Sequence, residues 1–205
     1  MITIVDYGVG NLGSIVNMLK KVGARAEASS DPDVLRKAEK LILPGVGAFD
    51  AGMKKLNETG LVPVLNELVL EKNVPVIGLC LGMQLMTGKS EEGTEAGLGW
   101  IEAETVRFKF GPENANLKIP HMGWNTLDIQ RQHPLVADLE PESRFYFVHS
   151  YHIVCADKTD VVAYTDYGYP LAAIINKENI MGAQFHPEKS HKFGMQLLKN
   201  FAERL

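Results

Sequence analysis

The sequence predicts an α/β fold, a mostly parallel open sheet flanked by helices with an antiparallel extension. Short apolar runs at residues 2–5, 40–43 and 74–79 are each followed by a glycine-containing loop and a helix-forming run. Such alternation is typical of buried parallel strands joined by helices. Beyond Trp100 the pattern changes to closely spaced alternating strands, and a last helix runs to Leu205. Early βα units followed by such strands predict the antiparallel extension.

The composition is that of an ordinary globular protein. The chain has 205 residues, of which 45% are apolar and 22% charged, and its net charge is −4. We therefore expect a single domain over residues 1–205. The lack of a basic stripe argues against nucleic acid as a binding partner. No apolar segment has membrane-spanning length. Two cysteines, Cys80 and Cys155, without a Cys-x-x-Cys pair, indicate neither a disulfide framework nor a metal site, and favour the cytoplasm.

The first strand ends in a loop with two possible interpretations. Gly8, Gly10 and Gly13 have the spacing of a dinucleotide-binding fingerprint, and Glu27 lies near the position of a ribose-binding acid. Nothing later in the chain builds a second mononucleotide half. We therefore favour a tight βα loop near the carboxyl end of a central strand and keep nucleotide binding as the alternative.

The next segments build the rest of the parallel half. Residues 24–28 are predicted to be an edge strand and residues 40–43 a buried one. Gly45-Val46-Gly47 follows the buried strand directly, and two glycines there free backbone N–H groups to point inward, as an oxyanion hole requires. Residues 49–58 and 61–71 are predicted to form two helices.

The segment from residue 74 to residue 86 predicts a nucleophile elbow. An apolar strand ends in Gly78-Leu79-Cys80-Leu81-Gly82, and a helix with an apolar inner face starts at once. The glycines suit a strained strand-to-helix turn, because a Cβ at either position would crowd the backbone. The helix N-terminus would favour the Cys80 thiolate. The alternative is a buried cysteine between two packing glycines.

The second half is predicted to contain strands, turns and a final helix. Residues 90–99 are expected to form a surface loop and Gly111 to Asn116 a hairpin tip. The expected strands cover residues 101–110, 123–130, 144–154, 161–165, 171–175 and 180–184.

The last strand leads to His186-Pro187-Glu188. In an extended chain His186 and Glu188 point to the same side, so the carboxylate can orient the imidazole. If this strand end meets the elbow, Cys80, His186 and Glu188 form a nucleophile–base–orienter triad. The N–H of Leu81 would be one oxyanion donor, and an N–H of Gly45-Val46-Gly47 the other.

These segments resemble the signatures of class I (triad) glutamine amidotransferases, and in particular the glutaminase subunits of imidazole glycerol phosphate synthases. The resemblance covers essentially the whole chain. Its motifs are Asp6-Tyr7-Gly8-Val9-Gly10-Asn11-Leu12, Leu43-Pro44-Gly45-Val46-Gly47-Ala48-Phe49, Gly78-Leu79-Cys80-Leu81-Gly82-Met83-Gln84, Pro120-His121-Met122-Gly123-Trp124-Asn125, Phe145-Tyr146-Phe147-Val148-His149-Ser150-Tyr151 and Phe185-His186-Pro187-Glu188-Lys189-Ser190.

The resemblance implies hydrolysis of glutamine to glutamate and ammonia, without a cofactor. It implies catalysis by Cys80, His186 and Glu188. The implied glutamine-binding residues are Gly45, Gly47, Gln84, Ser150 and Tyr151, and the implied oxyanion residues are Val46, Gly47 and Leu81. The implied partner is a (β/α)8-barrel cyclase subunit, which uses the ammonia to make imidazole glycerol phosphate and aminoimidazole carboxamide ribotide in histidine biosynthesis.

The resemblance also implies a docking face for that partner. Its residues are His121, Met122, Trp124, Tyr146 and Lys189. Plain packing is the alternative for the aromatic residues, and a solvated cation for Lys189. We also expect the peptide between two glycines in the oxyanion loop to be turned away in the isolated chain and to flip when the partner docks. The alternative functions are a glutaminase for another acceptor, a non-catalytic module of the same fold, and a nucleotide-binding protein.

Overall fold

The structure, a computed structural model, describes residues 1–205 and contains thirteen strands and six α-helices. In chain order the strands are β1 (Ile2–Val5), β2 (Ala26–Ser29), β3 (Lys40–Leu43), β4 (Val76–Leu79), β5 (Lys89–Ser90), β6 (Ala103–Arg107), β7 (His121–Thr126), β8 (Asp128–Ile129), β9 (Arg144–His149), β10 (Tyr151–Cys155), β11 (Val161–Asp166), β12 (Pro170–Lys177) and β13 (Ile180–Ala183). The helices are α1 (Leu12–Lys21), α2 (Pro32–Leu35), α3 (Phe49–Glu58), α4 (Val62–Asn66), α5 (Leu81–Leu85) and α6 (His191–Arg204).

The main sheet has eight strands in the order β2-β1-β3-β4-β13-β12-β11-β8. The first five run parallel, and β12, β11 and β8 continue the sheet antiparallel. The predicted fold class, with its antiparallel extension, is confirmed. The strand that ends before His186 lies directly beside the strand that ends before Cys80.

Helices cover both faces of the sheet because its strands alternate apolar side chains between them. On one face α1 and α6 pack against residues such as Ile42 and Ile77. On the other face α3, α4 and α5 pack against residues such as Leu41 and Leu43. None of these helices is both long and apolar enough to cross a membrane.

Two smaller sheets lie beside the main one. β10, β6 and β5 form one of them, and the antiparallel pair β7–β9 forms the other. We call the pair β7–β9 the ribbon. Its register places His121 opposite His149 and Trp124 opposite Tyr146, so each pair shares one face of the ribbon.

Several sequence expectations for the second half were wrong in detail. Residues 111–116 are not a hairpin tip, because the strands on either side belong to different sheets, and the segment contains a 3₁₀ turn at Pro112–Asn114. The strand expected over residues 144–154 is broken at Ser150, and the one expected over 123–130 is divided between β7 and β8. The loop expected at 90–99 begins in β5, and α2 was not predicted.

Candidate active site

Cys80 stands at a strained turn between β4 and α5. Its φ is 52° and its ψ −111°, a combination that L residues rarely adopt. The backbone around it is too close for larger neighbours. A Cβ on Gly78 would lie 2.6 Å from the nitrogen of Met83, and a Cβ on Gly82 would overlap the carbonyl oxygen of Leu43. The expected need for glycine on both sides of the cysteine is therefore confirmed.

The loop after β3 is pressed against this elbow. A Cβ on Gly45 would lie 2.7 Å from the nitrogen of Gly82, and the hydroxyl of Tyr7 donates to the carbonyl of Pro44 at 2.6 Å. This packing brings Val46 and Gly47 to the cavity that Cys80 lines. Gly45 itself does not line that cavity but supports the elbow from behind.

His186 reaches the elbow because β13 runs parallel to β4. Ala183 pairs with Leu79, and the N–H of Cys80 donates to the carbonyl of Ala183 at 2.8 Å. His186 is extended, with φ −102° and ψ 96°. Its Nδ1 lies 2.8 Å from Oε1 of Glu188, and both side chains are only 3% exposed. The imidazole is also hydrogen-bonded to the side chain of Cys80, so the three residues predicted to form a triad lie in one chain of contacts.

Hydrogen bonding sets the charge of His186. Burial alone would lower the pKa of its imidazole. The hydrogen bonds with Cys80 and Glu188, together with the charge interactions with the same two residues, outweigh that effect and raise the pKa to about 9. The ring is consequently an imidazolium near neutral pH, the form that can give a proton to a departing amine.

The triad opens into a cavity of about 360 Å³. Its wall includes Cys80, His186, Val46, Gly47, Leu81, Gln84, Ser150, Tyr151 and Lys189. Leu81 is the first residue of α5, so its N–H has no partner within the helix and is available to an anion beside Cys80. The cavity thus brings together a thiol, a protonated imidazole and backbone N–H groups.

Two glutamine side chains join the cavity wall to the cysteine. Nε2 of Gln84 donates to the carbonyl of Tyr151 at 3.0 Å and to Oε1 of Gln184 at 3.1 Å. Nε2 of Gln184 in turn lies 3.9 Å from Sγ of Cys80. Sequence reasoning missed Gln184, although an amide two residues before His186, at the end of an apolar strand, is a usable signal because buried polar groups need partners.

The expected docking residues differ in exposure. Met122 is 61% and Trp124 44% exposed on the ribbon. The ammonium of Lys189 lies 5.8 Å from the ring of Tyr146, beside them. His121 is different, with 3% exposure, because side chains alternate along β7 and its ring points inward. It offers a partner no surface.

Cys155, the other cysteine, is the last residue of β10 and does not line this cavity. It is buried, and burial is the main cause that raises the pKa of its thiol to about 12. A thiol with such a pKa is protonated and unreactive near neutral pH. No group of three or more His, Cys, Asp or Glu side chains is placed to hold a metal ion.

Comparison with known proteins identifies the family. Residues 3–205 match the family model described as glutamine amidotransferase class-I. The chain is 54% identical to imidazole glycerol phosphate synthase subunit HisH 2 of Pseudomonas aeruginosa, over 99% of each chain. It is 50% identical to the HisH 2 subunit of Methanococcus maripaludis, over 100% of each. The chain belongs to the HisH group of the class-I glutamine amidotransferase family.

Solved structures support the fold of this amidotransferase. A crystal structure of a glutamine amidotransferase matches with a TM-score of 0.72 and 20% identity, over 97% of this chain and 99% of the other. PurLQS from Thermotoga maritima matches with a TM-score of 0.73 and 18% identity, over 97% and 95%. These structures support the fold alone. The family model and the 50–54% identical relatives confirm the resemblance drawn from the sequence motifs, and they show that the protein is a glutamine amidotransferase.

Proposed function

We propose that this amidotransferase is the glutaminase subunit of an imidazole glycerol phosphate synthase and that Cys80, His186 and Glu188 carry out its chemistry. The observation that carries the proposal is the meeting of a strained cysteine and a buried His–Glu pair at the wall of one cavity. In this proposal residues 1–205 form one amidotransferase domain that works in the cytoplasm in histidine biosynthesis.

The first half-reaction breaks the amide bond of glutamine. The sulfur of Cys80, having given its proton to His186, attacks the side-chain carbonyl carbon. His186 then gives that proton to the amide nitrogen as the carbon–nitrogen bond breaks, which releases ammonia and leaves a γ-glutamyl thioester. Glu188 holds Nδ1 of the ring so that Nε2 faces the reacting groups.

The second half-reaction restores the enzyme. Neutral His186 takes a proton from water, and the resulting hydroxide attacks the thioester carbon. The carbon–sulfur bond breaks, the new carboxyl group gives its proton to water as glutamate leaves, and the thiolate of Cys80 is again paired with the imidazolium. The raised pKa of His186 suits this return, because it favours the protonated ring that starts the next cycle.

Backbone donors stabilise the tetrahedral intermediates in both steps. The N–H of Leu81 lies at the start of α5, and we assign the second donor to Val46 or Gly47. Gly47 has a φ of 97°, a conformation that glycine adopts without strain. A peptide flip in this loop is the means by which a docked partner would complete the oxyanion hole. Loss of one such donor costs on the order of 100- to 1000-fold in rate.

The partner in this proposal is a (β/α)8-barrel cyclase that receives the ammonia. Support comes from the subunit names of the relatives and from the exposed apolar side chains Met122, Trp124 and Val46. Val46 also lines the cavity, so one of these exposed apolar side chains lies at the site itself. Exposed aromatic and methionine side chains are typical of protein interfaces.

Release of ammonia and glutamate from glutamine tests the proposal. The wild type and Cys80→Ala are compared, each with and without a barrel cyclase. We expect weak activity of the wild type alone, a rise of about 100-fold or more with the cyclase, and no activity of Cys80→Ala. Equal activity of the two proteins would remove the triad from the mechanism. Full activity of the isolated wild type would reject the flip.

A further inference from the structure

Two buried histidines that the reaction does not use face each other across the ribbon. Nδ1 of His121 lies 3.0 Å from Nε2 of His149, and Nδ1 of His149 lies 2.8 Å from the carbonyl oxygen of Tyr151. Exposure is 3% for His121 and 6% for His149. Since Tyr151 belongs to the cavity wall, the pair connects the ribbon with the site.

The contacts fix the protonation of both rings. A carbonyl only accepts, so Nδ1 of His149 must carry a hydrogen. Burial, the largest effect, lowers the pKa of His149 to about 3 and that of His121 to about 4, so both rings are neutral near pH 7. Nε2 of His149 is then bare and accepts from Nδ1–H of His121. Each ring therefore carries its one hydrogen on Nδ1.

At the outer end of this series of hydrogen bonds, the backbone fixes the amide of Asn125. Oδ1 of Asn125 accepts the N–H of Thr126 at 2.9 Å, and its Nδ2 donates to the carbonyl of Asp166 at 2.7 Å. The same Nδ2 lies 3.5 Å from Nε2 of His121. The amide thus presents a donor to the bare nitrogen of His121, as the assigned tautomer requires.

At the inner end of the series of hydrogen bonds, the carbonyl of Tyr151 sets the orientation of Gln84. The carbonyl of Tyr151 accepts one hydrogen of the Gln84 amide, and Gln184 accepts the other. With both hydrogens engaged, Oε1 is the only group of that amide left to meet a ligand. Gln84 lines the cavity, so a bound glutamine would meet an acceptor there.

We propose that His121 and His149 are positioning residues, which as neutral Nδ1–H tautomers hold the Tyr151 carbonyl and through it turn Oε1 of Gln84 toward the substrate. The inference rests on the proposed function, because it requires glutamine in this cavity. His149 also lines the cavity, but the hydrogen bonds of the two rings go to each other, to Asn125 and to Tyr151, and not to Cys80, His186 or Glu188. Their effect is expected in the binding of glutamine more than in the chemical step.

Two substitutions of His121 separate hydrogen bonding from packing. His121 stacks on Tyr167 with ring centroids 4.1 Å apart and on Phe147 at 4.9 Å. His121→Phe keeps a stacking ring but removes the donor to His149. His121→Asn loses the ring but places an amide N–H near the position of Nδ1. If His121 acts only by packing, the Phe variant should bind glutamine better than the Asn variant. If it acts by its hydrogen bond, as proposed, the Asn variant should bind glutamine better.

The measurement is KM and kcat for glutamine in the full chain with the cyclase present. We expect His121→Phe to raise KM about tenfold, the effect of one lost hydrogen bond of about 1.4 kcal/mol. We expect His121→Asn to stay within about threefold of the wild type. The control is His152→Phe, since His152 is equally buried but bonds to the hydroxyl of Tyr169 and has no link to Gln84. Its KM should not change.

An unchanged KM in His121→Phe, or a larger rise in His121→Asn, overturns the inference. A wild type that hydrolyses no glutamine overturns the proposed function instead. A second measurement needs no variant. Nitrogen-15 NMR of the imidazoles near neutral pH should show both rings neutral with hydrogen on Nδ1, and hydrogen on Nε2 of either ring overturns the inference.

Discussion

Cys80 combines a reactive side chain with a backbone conformation that side chains avoid. A φ of 52° and a ψ of −111° cost a non-glycine residue on the order of 1–3 kcal/mol of folding stability, a loss that glycine would not suffer. The gain is positional, because the turn places the sulfur beside His186 and the N–H of Leu81. Strain at this residue is therefore part of how the site is built.

This strain predicts an unusual order of stability for two inactive variants. The free energy of unfolding of Cys80→Gly should be about 1 kcal/mol higher than that of Cys80→Ala, because glycine relieves the strain and alanine does not. At an unstrained position alanine is normally the more stable of the two. Denaturant titration of both variants measures the difference. A more stable Cys80→Ala would contradict the strained elbow.

The close approach of β3, β4 and α5 is the main feature at the scale of elements. Gly82 contacts the carbonyl of Leu43, so the loop with Val46 and Gly47 can approach Cys80 only if position 82 has no side chain. Local sequence rules were sufficient to predict this elbow. Residues 74–86 contain every signal that the prediction needs: a strand, a helix, and between them a cysteine with a glycine two residues away on each side.

A methyl group at position 82 tests this approach. Gly82→Ala should lose about 2–3 kcal/mol of stability and most glutaminase activity, because the added Cβ forces β3 away from the elbow. Gly88→Ala is the matched control. That glycine has no heavy atom within 4 Å of an added Cβ and no positive φ. Thermal unfolding and glutamine hydrolysis are measured on both, and a Gly82→Ala protein that behaves like Gly88→Ala would refute the packing.

Strand pairing in the second half could not be predicted in the same way. The alternation of apolar and polar residues along 101–110 and 123–130 shows which side chains share a face of the strand. It does not determine which other strand pairs with it. Neighbouring strands were expected to pair across residues 111–116. Instead β6 pairs with β10 and β7 with β9, so both partners come from farther along the chain.

At the scale of the whole molecule, the site exists because parallel strands end at one edge of the sheet. The proximity of Cys80, His186 and Glu188 could be predicted, since these residue types lie at the ends of strands that such a fold brings together. The inward orientation of His121, which was expected on the docking face, and the amide partner of Gln184 could not be predicted. Both depend on side chains more than twenty residues away, which no local pattern identifies.

Histidine protonation should give the protein a stability maximum near pH 6.5. The folded pKa of His186 is raised to about 9, so its contribution is complete below about pH 6.5 and is lost as pH rises through about 9. Burial lowers the pKa of His121, His133, His149 and His152, so their contribution is complete above about pH 6.5 and is lost in acid.

Denaturant titrations across this range check the prediction. The free energy of unfolding should fall on both sides of the maximum, and on the alkaline side the advantage of the wild type over His186→Asn should shrink. An advantage that stays constant between about pH 7 and pH 10 would show that His186 is not stabilised as an imidazolium.

The covalent intermediate offers the most direct test of the triad. The protein, with its cyclase, is mixed with glutamine, quenched in acid within the first turnover and examined by peptide mass spectrometry. We predict one γ-glutamyl group on the peptide that contains Cys80 and none on the peptide that contains Cys155. Release of ammonia without any adduct on Cys80, or an adduct on Cys155, would contradict a mechanism in which Cys80 is the nucleophile.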